Sequence, residues 1–360
     1  MTDSTLQIIH YLASRYCEGR RTGTEGWKRA RDYIIRQMKE AGIKPFYEEE
    51  FIQSLSGLPQ NREGANIIGY IPGSGRLADR YILMEAHYDH LGIDEDELGY
   101  YPGADDNAAA VGIILRSAAA FNSELPEQDR RSVIIAFFDA EEPPFFSSSH
   151  MGAHQFCTEN PEVLNKTDLS VFLDLMGHSL GSGIHEQIMD SFFVIGGEKI
   201  NIGPLLNEIE TAVESLYPRR MGIHAIPPSG NYIAFKERNL PFLFLTSGRN
   251  HFYHTLFDSA EKLDYPKINR LVRYFTLFIS KLSTAPEEMF IYNPKGAADA
   301  ESLKALKTMF SVMDPETPNL TNILNFIENA EKVCRTNGNL PLPEQSKLLH
   351  LVKLIEQYVS

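Results

Sequence analysis

Tyr81-Ile-Leu-Met84-Glu85-Ala-His87-Tyr-Asp89 is an apolar run of strand length that closes on a glutamate, a histidine and an aspartate, and its reading decides the fold. Four further carboxylate or histidine signals follow in order: Asp105-Asp106-Asn107, Glu141-Glu142, Asp174 and His254. Most of them also stand where an apolar run ends. A string of buried strands, each ending in a metal-type ligand, is what a two-metal hydrolase needs.

Working outward, Lys44 to Ile52 and Ala65 to Ile71 read as strands. Pro72-Gly73-Ser74-Gly75 reads as the turn before the strand at Tyr81, which suggests an antiparallel element. Thr24 to Gly42 has apolar residues at helical spacing, from Trp27 to Ala41, and Gly42 suits the stop. Asn107 to Phe121 reads as a helix packed on both sides, and Ser132 to Phe138 as a buried strand. The order then repeats, with strands at Leu169 to Leu173 and Pro241 to Thr246 and helices at Gly152 to Phe156, Pro204 to Tyr217 and Tyr265 to Leu282. Such alternation implies a largely parallel sheet covered on both faces, with ligands collecting beyond the carboxyl ends of its strands. The signal residues fall there.

Beyond Ser283 the character changes to three helical segments, Ala297 to Val312, Asn319 to Thr336 and Pro343 to Tyr358. Two segments are therefore expected: residues 1–283 as the catalytic domain and 284–360 as a helical C-terminal extension. The extension's apolar positions, among them Leu306, Phe310, Leu348 and Leu351, suit packing on the main domain or self-association with a second subunit.

At 360 residues and 43% hydrophobic, the chain can bury a large core. A net charge of -14 disfavours nucleic acid and anionic membrane as partners. Part of that acid suits metal ligands. Cys17, Cys157 and Cys334 are an odd number, far apart and in no CxxC spacing, so they read as free thiols. With no basic leader and no apolar stretch approaching about 18 residues, a cytoplasmic location is the default, although a trimmed secreted form would look the same.

Zinc hydrolases hold the metal with histidine nitrogen and carboxylate oxygen, and two ions about 3.5 to 4 Å apart can share a carboxylate. His87, Asp106, Glu142, Asp174 and His254 offer such a set. His87 and Asp89 lie two apart and point the same way if the strand continues, which lets the aspartate orient the histidine. Taken alone, Asp105 and Asp106 read as caps of the following helix. Asp139, Glu141 and Glu142 differ, because three acids packed at the end of an apolar strand repel one another unless a cation is present. Of two adjacent glutamates, one can ligate while the other moves the proton of the attacking water. Asp174 stands in an apolar setting that makes an unpartnered carboxylate costly. His90, His150, His154 and His251 read as surface or supporting histidines.

Together, His87-Tyr-Asp89, Pro102-Gly-Ala-Asp-Asp106-Asn-Ala, Phe138-Asp-Ala-Glu141-Glu142, Leu173-Asp174-Leu-Met-Gly and Tyr253-His254-Thr255 resemble metallopeptidase family 28, from about Arg20 to Leu282. That family contains di-zinc aminopeptidases, glutamate carboxypeptidase and glutaminyl cyclases. The resemblance implies an α/β fold, a three-layer αβα sandwich of the zinc-peptidase, phosphorylase/hydrolase-like kind around a central mixed, mostly parallel sheet. It implies Asp106 as a bridging ligand, Glu142 and His254 on one zinc, His87 and Asp174 on the other, Glu141 as general base and Asp89 as the partner of His87. It also implies a cis peptide at Asp106-Asn107.

Two departures stand out. The family's usual Ser-Asp-His before the last strand is Gly230-Asn231-Tyr232 here, which removes a carboxylate, and the run Pro143 to Ser149 after Glu142 is longer than the typical connection. The leading expectation is a zinc aminopeptidase with two Zn2+, acting on peptides with a free N-terminus. The alternative is a glutaminyl cyclase with one zinc. Against the cyclase stand Tyr253 where cyclases carry a tryptophan, and Trp27 as the only tryptophan. A non-enzymatic relative would have lost ligands, and every ligand position is filled.

Overall fold

The computed structural model describes residues 3–94, 96, 99–181 and 183–359, so the outermost residues of the two expected segments, 1–2 and 360, lie outside it. Among the described residues nine strands form one sheet: β1 (Lys44–Pro45), β2 (Ile52–Ser54), β3 (Ala65–Ile71), β4 (Tyr81–His87), β5 (Ser132–Phe138), β6 (Thr167–Asp174), β7 (Ser191–Ile195), β8 (Tyr217–Met221) and β9 (Phe242–Thr246). Their order is β1-β3-β5-β4-β6-β9-β7-β8, with β2 also on β3. The middle four, β5, β4, β6 and β9, run parallel, while β3 and β7 join them antiparallel.

Helices cover both faces, and the pleat of β5 shows why. Its seven residues are all buried. Val133, Ile135 and Phe137 point into one core, whereas Ile134, Ala136 and Phe138 point into the other. A strand buried on both sides needs a continuous apolar run rather than an alternating one. The first core is closed by α1 (Thr5–Leu12), α2 (Glu25–Glu40), α3 (Ala109–Ser123) and, later in the chain, the helices Gly203–Ala212 and Tyr265–Thr284. Thr24 caps α2, its hydroxyl accepting from the Trp27 N–H at 3.3 Å, and Trp27, Ala30, Ile34 and Met38 form the buried stripe.

The remaining helices are α4 (Gly152–Glu159), α5 (Pro161–Lys166), α6 (Glu186–Met189), α7 (Gly203–Ala212), α8 (Tyr232–Lys236), α9 (Tyr265–Thr284), α10 (Asp299–Ser311), α11 (Leu320–Asn337) and α12 (Leu342–Val359). The second core draws on α4, α5 and α8 and also on the extension. Leu306, Met309 and Phe310 of α10, Ile327 of α11 and Leu348, Leu351 and Ile355 of α12 are buried in it beside Phe172 and Phe244 of the sheet. The apolar stripe of the extension is thus spent on the chain's own sheet. Among the described residues no helix is long and apolar enough to cross a membrane. Cys17, Cys157 and Cys334 are free, as their spacing implies, and the structure buries all three.

Three local readings need correction. The expected strand from Lys44 to Ile52 is two short strands, because Glu48 has φ 47 and Tyr47 pairs with Glu50 across a turn of exposed glutamates. The strands flanking Pro72 to Gly75 are not neighbours, since β5 lies between β3 and β4. The helix expected from Pro204 to Tyr217 stops at Ala212, and Tyr217 opens β8, an edge strand where Pro218 is tolerated. Neither β7 nor β8 was expected.

Candidate metal centre

Because β5, β4, β6 and β9 run parallel side by side, their carboxyl ends open on one edge. His87 ends β4, Asp174 ends β6, Glu141 and Glu142 follow β5, and His254 follows β9. Asp106 comes from the loop between β4 and α3. The structure brings all of these together. Asp106 stands in the middle: its Oδ1 is 3.2 Å from His87 Nε2, which is 3.6 Å from Asp174 Oδ1. Its Oδ2 is 3.1 Å from His254 Nε2, which is 3.2 Å from Glu142 Oε2. His87, Asp106 and Glu142 each offer a ligand atom within 4.8 Å of the others.

Close as they are, these atoms do not satisfy one another. Asp106 Oδ2, Glu142 Oε2, Asp174 Oδ1 and His254 Nε2 are buried with no hydrogen-bond partner. Buried polar atoms of that kind are costly. A cation coordinated by oxygen and imidazole nitrogen removes the cost, so the donor set fits zinc. Charge points the same way. Burial raises Glu141 well above the usual carboxylate range, with Glu85, Asp174 and Asp89 adding to it and His87 opposing. Burial alone would raise Asp106 too, yet the imidazoles of His254 and His87 hold it well below its ordinary value. Burial pulls His254 down, but Asp106 and Glu142 lift it to about 10.

Hydrogen bonds to the backbone fix the ligand loops. Asp89 does not continue the strand. Its backbone oxygen meets His87 Nδ1 at 3.2 Å, while its carboxylate accepts from the Glu141 and Glu142 N–H groups at 3.2 and 3.1 Å. Asp89 therefore ties the ends of β4 and β5 together as well as facing His87. Asp258 does the same for the next loop, accepting from the Asp105 and Asp106 N–H groups at 2.9 and 3.1 Å. Asp105 points away from the cluster and accepts from the Gly177 N–H at 2.7 Å and from Asn250 at 2.9 Å. The Asp106-Asn107 peptide is cis, as the resemblance implies. Gly103 has φ 57 and leaves no room for a side chain, since a Cβ there would lie 2.4 Å from the Asp106 carbonyl oxygen.

Asp139 corrects one expectation. It is satisfied without any cation, accepting from Thr22, the Ala65 N–H and the Ala140 N–H, each at 2.8 Å. His90 is fully buried against Glu142 Oε1, with Nδ1 3.1 Å away, whereas His251 is exposed and His154 is half-buried on α4. Two contributors gave little sign in the sequence. Arg20 is wholly buried and donates to five carbonyl oxygens, of Tyr88, Leu12, Pro102, Gly103 and Asp106, at 2.7 to 3.4 Å. Glu85, raised to about 8 chiefly by burial, accepts from Asn231 Nδ2 at 2.9 Å. Thus where the usual aspartate is replaced by Asn231, a carboxylate arrives from β4 instead. Its signal was a glutamate inside an apolar strand, two residues before His87 and so on the same side.

A cleft with about 870 Å3 of space, open solvent included, reaches His87, Asp106, Glu141, Glu142 and Asp174. Phe146, from the long connection after Glu142, lines it and stacks near His254 with ring centroids 6.4 Å apart. Val352 and Ile355 of α12 also line it.

The chain is 26% identical over 293 residues to the uncharacterized protein YfbL of Escherichia coli (strain K12), covering 74% of this chain and 84% of that one. It is 24% identical over 294 residues to a glutaminyl-peptide cyclotransferase of Gloydius blomhoffii, covering 71% and 76%. The fold is similar to that of the Legionella pneumophila LapA aminopeptidase, with TM-score 0.60 at 14% identity over 79% of this chain and 72% of that one. It is also similar to a Zn-dependent exopeptidase of Parabacteroides distasonis, with TM-score 0.58 at 20% identity over 79% and 98%. Residues 66–279 match the model of peptidase family M28, so that the chain belongs to this family and is an enzyme of the zinc exopeptidase or glutaminyl cyclase kind.

Proposed function

We propose that the protein is a zinc-dependent aminopeptidase that removes N-terminal residues from peptides at a two-ion site. The observation that carries this reading is the position of Asp106, with one carboxylate oxygen beside His87, which in turn lies beside Asp174, and the other beside His254, which in turn lies beside Glu142. That arrangement suits a ligand shared between two ions, with His87 and Asp174 on one and Glu142 and His254 on the other. Zinc there would supply Lewis acidity toward the scissile carbonyl and the attacking water.

The chain's own groups do the rest. Glu141 accepts the proton of the attacking water and delivers it to the leaving amine. Its burial raises its proton affinity above that of a free carboxylate, which suits it to take up the proton it then passes to the amine. Asp89 fixes the Glu141 and Glu142 backbone, and with it the distance between base and ligand. Carboxylate-rich sites of this kind also take cobalt or manganese, so occupancy depends on availability.

A glutaminyl cyclase is the second reading, supported by the similarity to the Gloydius blomhoffii cyclotransferase. It would need only one ion, at Asp106, Glu142 and His254. Mass spectrometry of products from free-amine peptides, some beginning with glutamine, separates the two, with N-acetylated controls and a Glu141→Gln variant. Shortening of free-amine peptides alone is expected, with kcat down about 100- to 10,000-fold in Glu141→Gln. Ammonia loss from the glutamine peptides without shortening would instead establish the cyclase.

A further inference from the structure

We propose that the C-terminal helix α12 forms one wall of the pocket that receives the first side chain of the peptide, and that this wall selects large apolar side chains. The inference rests on the aminopeptidase reading for the orientation of the peptide, but its test does not depend on turnover.

Leu348, Leu351, Val352 and Ile355 are spaced i, i+3, i+4 and i+7 and so share one face of α12. Leu348 and Leu351 are buried in the second core and anchor the helix. Val352 is only partly buried and, with Ile355, reaches the cleft that opens onto the metal centre. The start of the helix is tied down as well, because the Asp299 carboxylate accepts from the Leu340 N–H at 2.9 Å and from Gln345 at 3.3 Å. Leu180, Phe193, Ile195 and Met221 line the same space and add to its apolar surround. The charged lining outside the metal cluster is Arg249, which is exposed and stacks on Tyr253 with 4.6 Å between its guanidinium and the ring centroid.

An apolar side chain entering this space is desolvated favourably, whereas a lysine or aspartate loses water and finds no buried partner. The amide of glutamine meets the hydroxyls of Ser229, Thr246 and Ser247, and the last two already accept from the Gly248 N–H and from Lys267. The stretch that matches the family ends at residue 279, so this wall lies outside it, in the extension. The extension is thereby given a role at the active site in addition to covering the sheet.

The test uses full-length, zinc-loaded Glu141→Gln protein and calorimetric binding of tripeptides that begin with Gly, Ala, Leu, Phe, Lys, Asp or Gln. Leu- and Phe-first peptides should bind at least about tenfold tighter than Gly-, Lys-, Asp- and Gln-first ones. Adding Val352→Trp should reduce the Leu-to-Ala affinity ratio by about tenfold. Leu348→Ala, in the same stripe but outside the pocket, should lower stability and leave that ratio alone. A flat series, tighter binding of Asp- or Gln-first peptides, no binding at all, or an equal change of ratio in Val352→Trp and Leu348→Ala overturns the proposal. Should the wild-type enzyme shorten none of the peptides while the affinity ranking and the Val352→Trp effect hold, the aminopeptidase reading fails and the wall stands.

Discussion

The two sides of the active site are held by different forces. On the ligand side, Arg20, Asp89 and Asp258 grip the backbone through directional hydrogen bonds. On the pocket side, α12 is held by apolar packing, with Leu348, Leu351 and Ile355 in the second core. Coordination distances tolerate errors of only a few tenths of an ångström, and a carboxylate bonded to two N–H groups can hold that tolerance. A specificity wall needs only volume. Non-directional packing supplies it and can be altered without moving the ligands.

Zinc offers the largest perturbation of this contrast. At a concentration about 1,000 times Kd, zinc should stabilise the fold by about 4 kcal/mol, read as the difference in melting between loaded and chelated protein. The effect should depend on pH in a fixed direction. In the metal-free protein His254 is raised to about 10, so its own stabilising contribution is complete below the unfolded value of about 6.5 and is lost as pH rises toward 10. Zinc must displace that proton. Affinity should therefore fall as pH drops from 8 to 6, with proton release seen by calorimetry in buffers of different ionisation enthalpy. Hydrogen exchange in α10 to α12 should not change on chelation, and loosening there equal to that of the ligand loops would erase the distinction.

Next in size is Arg20→Met. It takes the guanidinium away from five buried carbonyl oxygens, of which, among the described residues, only that of Gly103 keeps another donor, the Ala108 N–H, and should cost about 3 to 4 kcal/mol in urea unfolding. Zinc affinity should fall with it, because the loop carrying Asp106 loses its brace. Leu306→Ala, in the buried face of α10, should cost about 2 to 3 kcal/mol while zinc affinity stays unchanged. If Leu306→Ala weakened zinc as much as Arg20→Met does, the two sides would be one cooperative unit.

Strand ends were readable in the sequence where charge followed an apolar run. His87 and Asp174 close β4 and β6, and the parallel centre of the sheet followed from the alternation of strands and helices. Arg20 was not readable because its partners are carbonyl oxygens, which carry no residue identity. For β8, Tyr217-Pro-Arg-Arg-Met lacks an apolar run and contains a proline, and its place at the sheet edge is a tertiary fact. Glu85 and Asn231 lie 146 residues apart, so their exchange of roles needed the fold to bring them together. The part α12 plays at the pocket was invisible for the same reason, since an amphipathic stripe does not say what it faces.

The three buried thiols lie in three different neighbourhoods. Cys17 sits close to the Arg20 brace, Cys157 on α4 and Cys334 on α11. Burial pushes Cys17 up to about 11 and Cys157 up to about 12, and it raises Cys334 too, so each stays a thiol at neutral pH and each is shielded from reagents. A maleimide added to the native protein can then label each position only as fast as its surroundings breathe. The molecule carries three built-in clocks, for the brace, the second layer and the extension, and peptide mapping can read them in one experiment.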